Sequence, residues 1–257
     1  MKVALIDADS LLYYEMGKDT LEEAIEGLNN RIQEILIQTK SDHYIGYLTR
    51  GKCFRYDVAK SKPYKYNRKR GSKPPIYYAL DAYIQQDPWN FKSFSGLEAD
   101  DLVGLARSVN DNSVICSPDK DVLQQLPGRH YNYHKAEFHE TSKEESIKFL
   151  WKQVLMGDST DGIPGIPGLG PKTADKLIDN MPSVLEYQDV VLQQYVKKFG
   201  LDLGIDKFAE TFKLVRMHTD LGIASECIGE ILLGLDIFDP IPNPNLITEV
   251  NEEDEWE

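Results

Sequence analysis

The spacing of apolar residues predicts that strands alternate with helices in the first half of the chain. A continuous apolar run that ends in acids predicts a buried strand, whereas apolar residues that recur every three or four positions predict a helix. The predicted strands cover 1–8, 43–48 and 113–116, and the predicted helices cover 20–40 and 97–109. Thr20 and Glu23 match a capping box at the start of the first long helix. This alternation indicates an α/β domain with a mainly parallel sheet.

The second half of the chain has a different pattern. Strand signals stop after about residue 141, and the predicted helices cover 144–156, 173–179, 184–199 and 207–219. We therefore predict an α/β domain over 1–142 and a helical domain over 143–240. A Pro-rich segment that cannot sustain a helix leads into the last residues, so 241–257 is predicted to be a solvated tail.

Acidic residues follow two of the predicted strands. Asp7 and Asp9 come at the end of the first strand, and Asp119 and Asp121 follow the strand at 113–116. Function in an open parallel sheet collects at the carboxyl ends of its strands, so both acid pairs are expected at one edge.

The predicted helix at 97–109 adds three more acids, Glu98, Asp100 and Asp101. At about 100° per residue, Glu98 and Asp101 fall on or beside the apolar stripe and point towards the sheet. Asp100 falls on the opposite side if the whole segment is helical. Periodicity alone therefore brings two of these three acids to the sheet.

Two interpretations explain these acids. Taken one at a time, each acid is explained equally well by a structural role, as a helix cap or a first-turn acid that the helix dipole favours, and by a functional role. Taken together, carboxylates that converge on a partly buried edge repel one another unless protons or cations neutralise them. All-oxygen ligands without a nearby His or Cys select a hard ion, which predicts Mg²⁺ or Mn²⁺.

A glycine-rich segment at 156–177 joins two predicted helices and contains Asp158 and Asp161, which could reach back to the acidic edge. It fails the P-loop pattern, because the lysine does not directly follow the last glycine and a helix precedes the segment. Exposed backbone N–H groups and two lysines suit a nucleic-acid phosphate instead. The residues of this predicted phosphate site are Gly165, Gly168, Gly170, Lys172 and Lys176. An ordinary turn between helices is the alternative.

Charge is unevenly distributed along the chain. Lys and Arg total 29 against 42 Asp and Glu, which gives a formal net charge of −13, yet residues 50–73 contain ten basic residues and the single acid Asp57. An acidic protein can still bind a polyanionic partner if the positive charge of the protein lies on one face. The alternative for this stretch is a solvated charged loop.

The three cysteines are widely spaced, which indicates a reducing compartment. The amino-terminal apolar run is too short for a signal peptide or a membrane span, so we expect a cytoplasmic protein.

Five motifs in this order resemble the 5′-nuclease family of flap endonucleases, phage 5′-to-3′ exonucleases and the 5′-nuclease part of bacterial DNA polymerases. The motifs are LIDAD, YKYNRK, EADD, SPDKD and GDSTDGIPGIPGLGPKTA, and the match spans roughly residues 2–219. The resemblance implies a PIN-like α/β nuclease core, with a mainly parallel sheet flanked by helices. It also implies a C-terminal helix-three-turn-helix region that binds DNA.

The resemblance also implies two Mg²⁺ ions, for which Mn²⁺ can substitute, and assigns their ligands. Around the first ion it places Asp7, Glu98, Asp100, Asp119 and Asp121. Around the second it places Asp101, Asp158 and Asp161, with shared help from Asp119 and Asp121. A K⁺ ion at the glycine-rich turn is a further ion to consider.

In the family, the basic stretch forms an arch through which a single 5′ strand passes, and here it covers about 50–75. The resemblance implies that Lys65 and Arg68 stabilise the scissile phosphate. Alternating Tyr and Lys also suits a single-strand channel, so Tyr64 and Tyr66 are predicted DNA contacts. One position departs from the family pattern: Thr49 stands where an aspartate is common, and Asp9 is the candidate to compensate.

These observations predict a monomeric, cytoplasmic, metal-dependent 5′-nuclease of a bacterial or phage-infected cell, which hydrolyses DNA 5′ ends, flaps or RNA primers on DNA. The alternatives are an inactive DNA-binding scaffold with the same fold and a PIN-type ribonuclease.

The acidic tail with Trp256 is a candidate contact for a replication protein, and a tail without any role is at least as plausible. His130, His134 and His139 alternate with tyrosines, which favours an exposed strand over a zinc site.

Overall fold

A computed structural model describes residues 1–68, 71–181 and 183–246. Its strands are β1 (Val3–Asp7), β2 (His43–Tyr47), β3 (Ser113–Cys116), β4 (Gly128–Asn132), β5 (Glu137–Thr141), β6 (Gly157–Asp158), β7 (Ile163–Pro164) and β8 (Ile241–Pro242). Its helices are α1 (Asp9–Glu15), α2 (Leu21–Thr39), α3 (Arg55–Val58), α4 (Pro75–Ile84), α5 (Ala99–Val109), α6 (Lys120–Gln125), α7 (Lys143–Met156), α8 (Pro171–Asp179), α9 (Tyr187–Phe199), α10 (Leu201–Val215) and α11 (Leu221–Ile228). Short 3-10 turns lie at Val184–Glu186, Asp236–Phe238 and Pro244–Leu246.

The central sheet has the strand order β5-β4-β3-β1-β2-β8. Strands β2, β1, β3 and β4 run parallel, and β5 and β8 are antiparallel edge strands. The register pairs Asp7 with Tyr47 and Ile6 with Cys116, so the acids that follow β1 and β3 leave the sheet side by side. The predicted α/β fold with a mainly parallel sheet is confirmed.

Helices cover both faces of this sheet. On one face, the fully buried Leu28, Ile32 and Ile35 of α2 pack against β1 and β2, which confirms the predicted stripe. On the other face, α5 packs with Leu102 and Leu105. The capping box predicted for α2 is present, because Thr20 and Glu23 exchange two hydrogen bonds of 3.2 Å. A third apolar cluster joins α7, α8, α9 and α10.

Helix α10 differs from its prediction at both ends. It begins at Leu201 rather than at 207 and ends at Val215 rather than at 219. The early start includes Gly204, whose missing side chain lets α10 approach the backbone of α9: a Cβ there would lie 2.7 Å from Val196 Cα. Close helix packing, rather than a break in the helix, explains this glycine.

The end of the chain also differs from its prediction. Ile241 and Pro242 do not belong to a solvated tail but form β8, which pairs antiparallel with His43 and Tyr44 of β2. The Asn243 backbone N–H extends this contact by donating to the Asp42 carbonyl at 2.8 Å. Strands also continue past residue 141 in the small β6–β7 pair. The acidic residues from 249 onwards and Trp256 lie outside the described residues.

The predicted exposed strand around the histidines is only partly correct. His130 lies in β4 but is fully buried, and its Nε2 contacts the Leu126 carbonyl at 2.8 Å. Burial lowers the pKa of His130 to about 4. His134 and His139 are exposed.

None of the helices in the described ranges has the length and apolarity needed to cross a bilayer.

Candidate active site

A cavity of about 480 Å³ lies at the carboxyl edge of the sheet, and acids form much of its wall. The acids that line it are Asp7, Asp9, Glu98, Asp100, Asp119, Asp121, Asp158 and Asp161. This group contains every predicted metal ligand except Asp101, together with Asp9. Lys65 and Arg68 line the same cavity, so predicted ligands and predicted catalytic cations meet there.

Strand ends position the first acids. Asp7 closes β1, and its Oδ2 accepts a hydrogen bond of 2.9 Å from the Ser117 hydroxyl, just beyond β3. Asp119 caps α6 by accepting the Asp121 backbone N–H at 2.7 Å. Asp119, considered as a first-turn acid, is instead the N-cap of α6, and it also lines the cavity wall because one carboxylate has several acceptor positions.

The carboxyl groups at these strand ends hold their protons unusually tightly. Burial, then the charges of Asp9 and Asp119, raise the pKa of Asp7 to about 7. Burial, then Asp119 and Asp158, raise the pKa of Asp121 to about 6. These groups disfavour the ionised state because each faces other carboxylates in a partly dry cavity.

Glu98 and Asp101 have a different environment. Arg55, which is 2% exposed, donates to Asp101 Oδ2 at 2.5 Å, to Asp101 Oδ1 at 2.8 Å and to Glu98 Oε2 at 3.1 Å. Burial alone would raise the pKa of both acids, but the Arg55 guanidinium holds each pKa below its usual value. Arg55 also donates to the Leu214 and Arg216 carbonyls at 2.9 Å, so it ties α5 to the end of α10.

These contacts place Asp101 away from the cavity. Among the residues that the structure describes, Glu98, Asp100 and Asp101 are the group whose potential ligand oxygens lie within 4.8 Å of one another. Proximity alone overstates the role of Asp101, because Arg55 takes both of its oxygens and one of them also accepts the His218 backbone N–H at 3.2 Å. Asp101 is fully buried as the counterion of Arg55.

Asp100 does line the cavity, as the family resemblance implied and periodicity did not. The reason is the helix start: α5 begins at Ala99, with Glu98 as its N-cap. A side chain in the first turn leans towards the amino terminus of the helix and so reaches the sheet edge. Burial, then Asp101 and Glu98, raise the pKa of Asp100 well above its usual value.

The basic segment 64–68 is held against the turn at 158–162. The Lys65 backbone N–H donates to the Asp161 carbonyl at 2.8 Å, and Asn67 Nδ2 donates to the Ser159 carbonyl at 2.6 Å. The Lys65 ammonium pairs with Glu98, and the Arg68 guanidinium pairs with Asp161. Both predicted catalytic cations therefore already contact cavity acids.

The two predicted DNA-contacting tyrosines differ in exposure. Tyr66 is 55% exposed, and the Lys62 ammonium lies over its ring, 5.4 Å from the centroid. Tyr64 is only 4% exposed and packs edge-to-face on Tyr56, with ring centroids 5.2 Å apart, so its ring offers no face to a base. The basic side chains do not share one face, since Arg55 is buried in the interior and Arg50 pairs with Asp81 on α4. Residues 69 and 70 lie outside the described ranges.

The glycine-rich turn connects α7 to α8 through the β6–β7 pair. Gly165 is packed against α7, where a Cβ would lie 2.1 Å from the Met156 carbonyl carbon, whereas Gly168 is exposed with a φ of 87°. Gly170 caps α8, and Lys172 and Lys176 are exposed on that helix. The structure thus places these lysines on the surface beside the turn, while Gly165 supports the turn from inside.

Thr49, which departs from the family pattern, connects two parts of the cavity. Its backbone N–H donates to Asp9 Oδ1 at 2.9 Å, and its hydroxyl accepts the Ala99 backbone N–H at 2.8 Å. It therefore links α1 to the first turn of α5. Sequence reasoning missed this link and the inward direction of Arg55, since a pattern of charges does not show which way a side chain points.

Sequence comparison identifies relatives over most of the chain. Flap endonuclease Xni of Pseudoalteromonas translucida is 30% identical over 242 residues, which cover 86% of this chain and 90% of that protein. The chain belongs to the 5′-nuclease family. DNA polymerase I of Caldicellulosiruptor bescii is 28% identical over 253 residues, and the chain spans only 29% of that polymerase. No protein-family model matches the chain.

Among solved structures, the T5 D15 protein co-crystallised with metal ions matches this member of the 5′-nuclease family with a TM-score of 0.67. The two share 17% sequence identity, and the match covers 93% of this chain and 96% of that one. At this level of identity the likeness concerns the fold. Together with the relatives, it confirms the predicted family and the predicted PIN-like α/β fold.

Proposed function

We propose that this chain is a metal-dependent, structure-specific 5′-nuclease that hydrolyses phosphodiesters near the 5′ ends of DNA, including flaps and RNA primers on DNA. The observation that carries the proposal is the cavity in which eight carboxylates from separate elements face Lys65 and Arg68. Its relatives are named as flap endonucleases and as 5′-3′ exonucleases, which supports this reaction class.

The donor set fits hard divalent cations. Carboxylate oxygens dominate the cavity wall, and burial raises the pKa of the Cys53 thiol, which also lines it, to about 12. A thiol with that pKa remains protonated and is a poor ligand. Oxygen ligands favour Mg²⁺, with Mn²⁺ as the substitute.

The proposed ligands form two groups. Asp7, Glu98, Asp100, Asp119 and Asp121 hold one ion, and Asp158 and Asp161 hold a second with shared use of Asp119 and Asp121. Two bound ions supply the positive charge that activates a water and stabilises the leaving oxygen. Asp101 is left out of the proposed set because Arg55 takes both of its oxygens.

The cations of the chain bind and orient the substrate. Lys65 and Arg68 neutralise the scissile phosphate, while Tyr66 offers its exposed ring to a base of the single strand. Lys172 and Lys176 bind duplex phosphates beside the glycine-rich turn. A K⁺ ion at that turn, a replication protein at the acidic tail and a monomeric, cytoplasmic protein are further parts of the proposal.

The test is cleavage of a DNA duplex with a labelled 5′ flap by the wild type and by Asp119→Asn, with Mg²⁺ or with a chelator. We expect Mg²⁺-dependent cleavage near the flap junction, abolished by Asp119→Asn while DNA binding persists. Asp206→Asn, on the exposed side of α10, is the matched control and should cleave like the wild type.

Two outcomes would favour the alternatives. Tight binding of the flap duplex without cleavage in either Mg²⁺ or Mn²⁺ indicates an inactive DNA-binding scaffold. Faster cleavage of a free RNA strand than of the flap duplex indicates a PIN-type ribonuclease.

A further inference from the structure

The Tyr64 hydroxyl lies between carboxylates from two separate parts of the chain. It is 2.8 Å from Glu98 Oε2, at the start of α5, and 2.9 Å from Asp161 Oδ2, in the turn between β6 and β7. The Tyr64 ring is 4% exposed and packs on Tyr56, and this packing fixes the position of the hydroxyl.

A neutral phenol has one hydrogen to donate, so it donates to one of these two carboxylates at a time. The other carboxylate needs a different positive partner. Arg55 Nη1 lies 3.1 Å from the same Glu98 oxygen, and Lys65 Nζ lies 3.8 Å from the same Asp161 oxygen. Cations thus stand on both sides of the hydroxyl, and the two acids remain close together around it.

This arrangement differs from a nucleic-acid contact. A base-stacking tyrosine needs an exposed ring, and Tyr66 is 55% exposed whereas Tyr64 is 4% exposed. Tyr64 instead directs its polar end at two of the proposed metal ligands. Partners of metal ligands fix the orientation of those ligands, and their loss typically lowers metal affinity by about 10- to 100-fold.

We propose that Tyr64 is a positioning residue that holds Glu98 and Asp161 at the separation at which the acids of α5 and of the β6–β7 turn bind divalent cations as one site. This inference rests on the proposed function. It assigns Tyr64 to the assembly of the metal site rather than to contact with DNA.

The test is a titration of the full chain with Mn²⁺, with free Mn²⁺ followed by electron paramagnetic resonance. The variants are Tyr64→Phe, which keeps the buried ring and removes its hydroxyl, and Tyr56→Phe, which removes the hydroxyl of the neighbouring ring. We expect about tenfold weaker binding of one ion in Tyr64→Phe and wild-type binding in Tyr56→Phe. On a flap duplex, kcat should fall in Tyr64→Phe while KM is unchanged.

A double-mutant cycle separates positioning from a general loss of structure. The effects of Tyr64→Phe and Asp161→Ala on Mn²⁺ affinity should be less than additive, because each change alone removes the contact between the two side chains. Wild-type Mn²⁺ affinity in Tyr64→Phe, or fully additive effects in the cycle, would overturn the inference. A raised KM with unchanged Mn²⁺ affinity would return Tyr64 to DNA contact. Absence of Mn²⁺ binding by the wild type would instead contradict the proposed function, and this inference with it.

Discussion

Two groups of acids at the cavity differ in chemistry: one lines the wall, and the other includes Asp101, which is buried behind it. The paired acids, Glu98 and Asp101, share the buried Arg55, which holds the pKa of each below its usual value. The crowded acids, Asp7, Asp100 and Asp121, face mainly burial and other carboxylates, and their pKa values are raised.

The difference shows that an acidic cluster alone does not identify a metal site. A carboxylate such as Asp101, whose two oxygens both contact a buried arginine, gains little from a cation, and removing one partner of such a pair leaves a buried charge uncompensated. Carboxylates that repel one another gain most from a divalent ion. The crowded acids are therefore the centre of the proposed metal site, with Glu98 as a further ligand beside them, and Asp101 supports the site from behind the wall.

The largest effect is expected for the crowded acids. Asp7→Asn should lower kcat on a flap duplex by about 10³-fold, equal to roughly 4 kcal/mol, because it removes a proposed ligand of the ions that would stabilise the transition state. Its free energy of unfolding in chelator should be unchanged or higher, because one member of a repelling group becomes neutral. Steady-state kinetics and urea unfolding measure the two effects, and a large loss of stability would contradict the comparison.

The next effect concerns the paired acids. Asp101→Asn should lower the free energy of unfolding by about 3–5 kcal/mol, because it leaves the Arg55 guanidinium buried without its main counterion. Urea denaturation in chelator measures this loss. In an Arg55→Met background the same substitution should cost much less. Equal losses in both backgrounds would show that the pair does not set the stability.

The pH dependence of stability separates the two groups further. Asp7 and Asp121 have folded pKa values of about 7 and about 6, above those of an unfolded chain, so the folded state binds more protons. In chelator, stability should fall as pH rises from about 4 to 7, by about 3–5 kcal/mol. Asp7→Asn should flatten this slope. Stability that rises with pH over this window would mean that the crowded acids do not repel.

The smallest effect lies outside both groups. Lys172 is exposed on α8, beside the glycine-rich turn. Lys172→Ala should weaken duplex binding and reduce the salt dependence of affinity by about one phosphate contact, with unchanged Mn²⁺ binding. Fluorescence anisotropy at several salt concentrations measures the slope. An unchanged slope would remove Lys172 from the proposed duplex interface.

Periodicity predicted the framework of the fold well. The strand at Ser113–Cys116 and the stripe of α2 follow from local patterns, because burial on one face repeats with the period of the element. The edge strand Ile241–Pro242 could not be predicted this way. Its two residues are a strand only through pairing with β2, which is distant in sequence.

The sequence predicted which residues belong to the site better than it predicted which way their side chains point. Seven of the eight predicted metal ligands line one cavity, but the partner of each acid depends on tertiary contacts. The sequence shows Arg55 as one of ten basic residues, yet only the fold reveals that it faces the interior. The same holds for Tyr64, whose burial no local pattern indicates.

The central claim is that divalent ions bind to the crowded acids and not to the Arg55-bound Asp101. Anomalous diffraction from crystals grown with Mn²⁺ tests it most directly, because each peak locates an ion among named oxygens. We expect peaks in contact with Asp7 and Asp121, with Asp101 still paired to Arg55. A peak on Asp101 with Arg55 displaced, or a cavity without any peak at saturating Mn²⁺, would contradict it.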